Sequence, residues 1–358
     1  MNGRWLVVLL TAVALVVTPL AFRARPTTSS DVAAGELVQR IRASSAAPWS
    51  GQVESSGTLA VPDEQSFANL AQLLGENNEL RVWWRGADDW RIDRIRSTGE
   101  TDLYRQGQAV IRWVFESDTA TITPVSTVRL PDASDLLPPT LARSLLQGAR
   151  ADELARLPTR RVAGVEAPGV RLIPDDEAST VGRVDVWADP GTGLPLRVEV
   201  SGVGADRPIL TTAVTELDRR EPPAATTVFR PSADSRIAFE DAVDVAAAAN
   251  AFAPVDLPTT LAGLPSRSGE DPGAVGVYGR GATTLISVPL RGQVARPLRE
   301  RLLSSGTAER TSVGTLAPVG PVGLLVTDRR ERGSFLLAGT VTGETLQRAA
   351  AELLAAGS

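Results

Sequence analysis

Histidine and cysteine are absent from this chain of 358 residues, and its 37 basic residues are all arginine. Thiol nucleophiles, Ser-His-Asp triads, Cys/His zinc sites and imidazole acids or bases are therefore excluded. Without lysine there is no Schiff base and no P-loop lysine. Carboxylate pairs, oxygen-only metal sites and serine–arginine constellations remain. Acidic residues cluster at Asp88-Asp89 and at Asp175-Asp176-Glu177. Both clusters sit in predicted turns, where Asp is favoured for local hydrogen bonding, and neither has the alternating spacing of a calcium loop. Ser55-Ser56 and the glycines of residues 273–281 match no nucleophile elbow, P-loop or dinucleotide fingerprint; the glycines read as hairpin punctuation. Arg329, Arg330 and Arg332, with Asp328 and Glu331, form a charged and solvated hairpin tip. The expectation is a protein that is not an enzyme, with no catalytic residue, no metal site and no cofactor. An Arg/carboxylate hydrolase has no motif behind it. A net charge of -5 argues against nucleic acid as a partner.

The aromatic residues offer a different chemistry, that of holding something apolar. Trp83, Trp84, Trp90, Trp113 and Trp187 all fall on predicted strands, in a chain with only two Tyr and seven Phe. On the strand from Leu80 to Arg85, the face made by Leu80, Val82 and Trp84 is apolar, whereas Arg81, Trp83 and Arg85 make an amphipathic face. Trp84 should therefore point inward. If the sheet encloses a hollow, Val53, Leu59, Val82, Trp84, Trp90, Trp113 and Trp187 line it as ligand-binding residues. The competing expectation is that they pack an ordinary filled core beneath the helices.

These side chains must be positioned by strands, and the spacing supplies them. A helix with Val32, Leu37, Val38 and Ile41 at helical spacing starts from a Ser30 cap. From Trp49 to Val61 the period changes to two. A helix then opens at Pro62-Asp63, with Phe67, Leu70, Leu73 and Leu74 apolar, and ends at Gly75. Five short strands follow, Leu80 to Arg85, Trp90 to Ile95, Thr101 to Arg105, Ala109 to Phe115 and Thr119 to Thr123, spaced as consecutive antiparallel neighbours. A helical stretch from Pro131 to Ala149, interrupted at Pro138-Pro139, breaks the meander. Strands resume over Thr159 to Val165, Gly169 to Ile173, Gly182 to Ala188, Leu194 to Val200 and Ile209 to Leu217. So many strands and so few helices predict an α+β fold, a large curved antiparallel half-barrel with helices on its concave face.

The chain also divides. Trp5 to Phe22 is an 18-residue stretch without a charge, flanked by Arg4, Arg23 and Arg25 and lacking a good cleavage site. It reads as an N-terminal transmembrane helix, an uncleaved signal anchor within residues 1–25. A tether (26–34), the half-barrel domain (35–230) and a linker (231–257, with an alanine-rich run from Val243 to Ala253) come next. Residues 258–358 repeat a β-β-helix pattern twice and form a small C-terminal α+β domain, with Thr342 capping its last helix. The expected location is the cell membrane, single-pass, with the bulk of the chain extracytoplasmic.

One segment carries a resemblance. Gly182-Arg-Val-Asp-Val-Trp-Ala-Asp-Pro-Gly-Thr-Gly-Leu-Pro-Leu-Arg-Val-Glu199 is a strand, a tight Asp189-Pro-Gly-Thr-Gly193 turn and a returning strand. It resembles the hairpin that recurs in the LolA/LolB lipoprotein carriers, the LppX-type lipid-binding proteins and the RseB (MucB) sigma-factor regulators. Leu80 to Asp93 is similar to that superfamily's early hairpin, and the order of elements from about Gly35 to Arg230 matches. A second small domain favours the two-domain RseB layout. The resemblance implies a binding protein without catalytic residues. Its expected ligand is a lipid or lipoprotein acyl chain, in envelope lipoprotein handling or stress sensing. The alternative is a protein-interaction regulator that binds a membrane partner, an anti-sigma factor or transporter subunit, without lipid.

Overall fold

The computed structural model describes residues 31–58, 73–97, 99–125, 129, 131–239, 257–267, 275–328 and 333–355. The predicted span Trp5 to Phe22, the Ser30 cap, Leu59, most of the helix opening at Pro62, the alanine-rich run and the Arg329 tip lie outside these residues. Among the described residues no helix is long and apolar enough to cross a membrane.

Helix α1 (Ala34–Ala43) buries Leu37, Val38 and Ile41, the spacing of one helical face. Its N-cap is Ala33, which supplies no side-chain cap. Eleven antiparallel strands follow: β1 (Trp49–Gly57), β2 (Asn77–Gly86), β3 (Asp89–Arg96), β4 (Gly99–Gln106), β5 (Ala109–Val114), β6 (Thr119–Pro124), β7 (Leu154–Val162), β8 (Val165–Leu172), β9 (Val181–Ala188), β10 (Pro195–Gly202) and β11 (Leu210–Asp218). A twelfth, β12 (Arg236–Phe239), lies within the stretch read as linker and pairs parallel to β6. One open sheet results, ordered β12-β6-β5-β4-β3-β2-β1-β11-β10-β9-β8-β7.

That order dictates two crossings. Strands β2 to β6 extend from β1 to one edge, and the chain restarts at the opposite edge with β7. Residues 125–153 must therefore traverse the sheet. They do so with helix α2 (Pro138–Leu145), which packs on β10 and β11. Pro138 and Pro139 start this helix at its first two positions, where a missing N–H has no intrahelical partner to lose. They do not interrupt it, as the sequence suggested. Thr212 Oγ1 donates to the Leu136 carbonyl at 2.6 Å and ties the crossing to β11.

The second crossing uses the other face. From the end of β11 at the sheet centre, residues 219–235 run to the β6 edge, and the single helical turn Ala224–Thr227 lies over β2, β3 and β4. We call residues 219–239 the strap. The helices α1 and α2 occupy the inner face; the strap occupies the outer one.

The second domain is a six-stranded sheet ordered β13-β14-β18-β17-β16-β15. Its strands are β13 (Gly276–Arg280), β14 (Thr283–Leu290), β15 (Glu309–Arg310), β16 (Gly314–Val319), β17 (Val322–Thr327) and β18 (Ser334–Gly339). Helix α3 (Gly292–Ser304) packs Ala295 and Leu302 with Ala317 and Val326. Helix α4 (Gly343–Ala355) packs Leu346, Ala349, Ala350 and Leu353 with Leu325 and Leu337. Alternate residues of β17 serve the two cores, so the helices cover opposite faces. Thr342 caps α4, its Oγ1 accepting from the Thr345 N–H at 3.3 Å.

Candidate functional site

Four of the seven expected lining residues come together on the inner face. Val53, Val82, Trp84 and Trp90 share one apolar core with Leu37, Val38 and Ile41 of α1, whereas Trp187, which alternates with the inward Val186 and lies beneath the Arg160 guanidinium, is buried on the outer face. Register explains the assembly: Trp84 faces Trp90 across β2 and β3, and their rings stack at 5.8 Å. Trp49, facing Trp84 across β1 and β2, belongs to the same core. Val53 and Val82 are 0% exposed and Trp84, Trp90 and Trp187 no more than 8%. A side chain bordering a hollow wide enough for water would be exposed to it, and these two valines are not.

Trp113 is a correction. In β5 it pairs with Asp102 of β4, and Asp102 is one residue from Leu103, which faces the inner core. Side chains alternate along a strand, so Trp113 points to the outer face. There it packs with Tyr104, Ile111, Ala120 and Phe229, and its Nε1 donates to Asp118 at 3.2 Å.

The outer face also holds a polar cluster that no local motif announced. Arg91 and Asp93 lie two apart on β3, and Asp93 stands directly opposite Asp102. Arg91 donates to both Asp93 oxygens at 2.6 and 2.8 Å, and to Asp102 Oδ2 at 3.0 Å. Tyr104 donates to the same Oδ2 at 3.3 Å. The guanidinium sits 5.1 Å from the ring centres of both Trp83 and Tyr104, a double cation–π contact. Asp93 and Asp102 are buried. Burial raises both carboxyls above the ordinary range, and with the neighbouring Asp93 charge it pushes Asp102 up to about 7.

The strap binds over this region by side chains from the sheet. Arg85 forms an ion pair with Glu221 at 2.8 Å, Gln106 donates to the Thr227 carbonyl, and Phe229 meets the Tyr104 ring edge-on at 5.3 Å. Beyond the strap, the outer face carries two clefts along β1 and β11. A cleft of about 730 Å³ is bordered by Glu54, Ser56, Glu79, Arg197 and Thr211. A second, of about 330 Å³, is bordered by Gln52, Arg81, Trp83 and Glu216. Glu54 faces Glu79 directly across β1 and β2, a like-charge pairing that weakens a sheet. Neither forms an ion pair among the described residues. On strands β7 to β10 of the same sheet carboxylates are held by arginine, as in Arg171–Asp185, Arg161–Glu166 and Arg160–Glu199.

The Asp189 hairpin is built as its sequence predicts. Asp189 Oδ1 accepts from the N–H groups of Gly191 and Thr192 at 2.8 and 3.0 Å, and Arg219 pairs with its other oxygen. Gly193 takes φ 72°, where a Cβ would collide with the Arg40 carbonyl of α1. The turn thus packs against the helix on the inner face, and Arg219 joins it to the start of the strap.

The two domains meet at another buried carboxylate, Glu153. Arg280 of β13 grips Glu153 with two hydrogen bonds at 2.6 and 2.7 Å. Those hydrogen bonds, reinforced by N–H donors from Arg150 and Asp175, hold the Glu153 carboxyl at about 2. Gly281 (φ 46°) lies so close to α2 that a Cβ would sit 2.5 Å from the Leu145 carbonyl. The turn before β9 completes the junction: Thr180 N–H donates to Thr340 and Thr342 N–H to Ala178, at 3.1 and 2.8 Å.

No family model matches the chain, and no curated protein matches its sequence. The comparison of folds finds solved structures, with TM-scores below 0.5. The complex of MucB with MucA(peri) is 17% identical, has a TM-score of 0.48 and covers 88% of this chain and 97% of MucB. The MucA/MucB complex of Pseudomonas aeruginosa is 17% identical with a TM-score of 0.49, over 88% and 96% of the two chains. A LolA-superfamily protein of Nitrosomonas europaea is 14% identical, has a TM-score of 0.26 and covers 55% of this chain and 98% of its own. The LolA-like and RseB/MucB-like resemblance read from the hairpins meets the same groups of proteins in the comparison of folds.

Proposed function

We propose that this chain is a non-catalytic, membrane-tethered binding protein that grips an extracytoplasmic segment of a membrane-protein partner. The enclosed inner core carries this reading. An acyl chain held in the half-barrel needs a lining exposed to its hollow, and Val53 and Val82 are fully enclosed while Trp84 and Trp90 are nearly so. The open polar clefts on the outer face offer a place for a peptide instead. Glu54 and Glu79, which form no ion pair among the described residues, suit a segment bearing arginine or lysine. The sequence resemblance to RseB-type regulators supplies the partner class, a membrane protein such as an anti-sigma factor. The uncharged segment from Trp5 to Phe22 supplies the tether.

Photo-crosslinkers placed at Glu54 and Glu79 in intact cells, with one at Arg183 as control, test the reading. The expected result is one discrete membrane protein trapped from both cleft positions and not from the control, and the same protein co-purifying stoichiometrically with the unmodified chain. Stoichiometric acyl species found by extraction mass spectrometry of the purified full chain, with no cleft-specific crosslink, overturn the peptide reading in favour of lipid carriage.

A further inference from the structure

We propose that Asp93, Glu100 and Asp102 form a binding site for a hard divalent cation on the outer face of the sheet. Glu100 and Asp102 are two apart on β4 and therefore share a face, and Asp93 stands opposite Asp102 on β3. One oxygen from each of the three carboxylates lies within 4.8 Å of the others. Acidic neighbours alone do not make a site. What singles this one out is Asp102, which is 0% exposed and whose Oδ1 has no hydrogen-bond partner. Its other oxygen takes both donors that reach it, from Arg91 and Tyr104. A buried carboxylate oxygen left without a donor is expensive, and such an orphan in a folded chain calls for an explanation.

Charge points the same way. Arg91 is the one cation held against three carboxyl groups, which leaves the cluster net negative. Arg81, in register with Asp93 on β2, is exposed and forms no ion pair with the cluster. A divalent cation would offset that negative charge, and the existing Arg91 bonds leave lone pairs free, since each carboxylate offers about four acceptor positions. The donors are all oxygen, with no imidazole or thiolate in the chain. That set selects calcium or magnesium over zinc or copper, with water completing the coordination shell. The site lies beside the strap, so a bound ion would stiffen the β3–β4 hairpin beneath it.

Calorimetric titration of the folded full chain with calcium chloride and, separately, magnesium chloride at constant ionic strength tests the proposal. We expect saturable one-site binding of at least one ion with Kd of roughly 10⁻⁴ to 10⁻³ M, the range of extracellular calcium modules. Tm should rise with that ion and fall back on chelation. Glu100→Gln, a half-exposed position at which the fold should be kept, is expected to weaken binding at least about tenfold, in line with losing one of three charged ligands. Glu177→Gln, on a distant turn, should bind as the parent does. The proposal is overturned if the parent shows neither saturable heat nor a Tm change with either ion up to about 10 mM, ten times the weakest extracellular sites. It is equally overturned if Glu100→Gln and Asp102→Asn both bind unchanged. Neither result bears on the partner-binding reading, which rests on different residues.

Discussion

Trp83 and Trp84 are adjacent in the chain and live in different solvents. Trp84 stacks on Trp90 in the inner core, while Trp83 lies on the outer face against the Arg91 guanidinium. The same strands thus present two faces that are stabilised in opposite ways. The inner face removes apolar area from water beneath α1 and α2, a non-directional gain proportional to area. The outer face is held by arginine–carboxylate pairs whose charge must balance locally, and where the strap covers them an imbalance becomes costly. The inner face therefore tolerates variation in which apolar residue fills it, whereas the outer face depends on individual partners. A binding function fits the second kind of surface, because unmatched groups there have something to gain from a partner.

The largest effect expected from breaking this contrast is on the inner side. Trp84→Ala should destabilise the first domain by about 4 kcal/mol, the usual range for a buried aromatic that leaves a cavity, read as a lower denaturation midpoint. If the loss is under about 1 kcal/mol, the core at Trp84 is loosely filled and the hollow half-barrel returns as the better description. Next comes Arg91→Ala, which leaves Asp93 and Asp102 facing each other without a cation. A loss of about 3 kcal/mol is expected, somewhat below a fully buried pair because Arg91 is partly exposed. Arg91→Lys should recover only part of it, since a point ammonium cannot span both Asp93 oxygens. Phe229→Ala should cost about 1 to 2 kcal/mol and speed proteolysis within the strap, because its ring is the apolar contact over Tyr104 and Trp113.

Most of the inner face was legible from residues alone. The meander strands were spaced by turns at Ala87-Asp88 and Gly107-Gln108, and period-two alternation told which side chains turn inward. The hairpin at Asp189 and the elements of the second domain followed from similar local signals. What escaped had no local signal. Strand β7 begins at Leu154, ahead of the predicted Thr159, because an edge strand with one solvated side shows little alternation. Strand β12 was hidden for a related reason: Ile237 and Phe239 are exposed, so its place is set by where the strap ends. Residue type alone puts Trp113 and Trp187 among the lining residues, but their registers turn both outward. The Arg91, Asp93 and Asp102 cluster could have been found by carrying the turn at 97–98 into a hairpin register, which places Asp93 opposite Asp102. The cover over that cluster depends on residues more than a hundred positions away, and no spacing rule reaches so far.

The finest test of the contrast is Trp83→Ala. If the outer face works through individual polar partners, removing this ring takes away one of two aromatic faces stacked on Arg91 and little buried area. The expected loss is about 0.5 to 1 kcal/mol, the scale of an exposed cation–π contact, against several times that for its neighbour Trp84. Combined with Arg91→Ala, the two losses should fall short of additive by roughly the whole Trp83 effect, since the ring has nothing to stack on once the guanidinium is gone. Additive losses would mean that Trp83 acts through area alone, and the two faces of the sheet would then differ in degree of burial and not in kind.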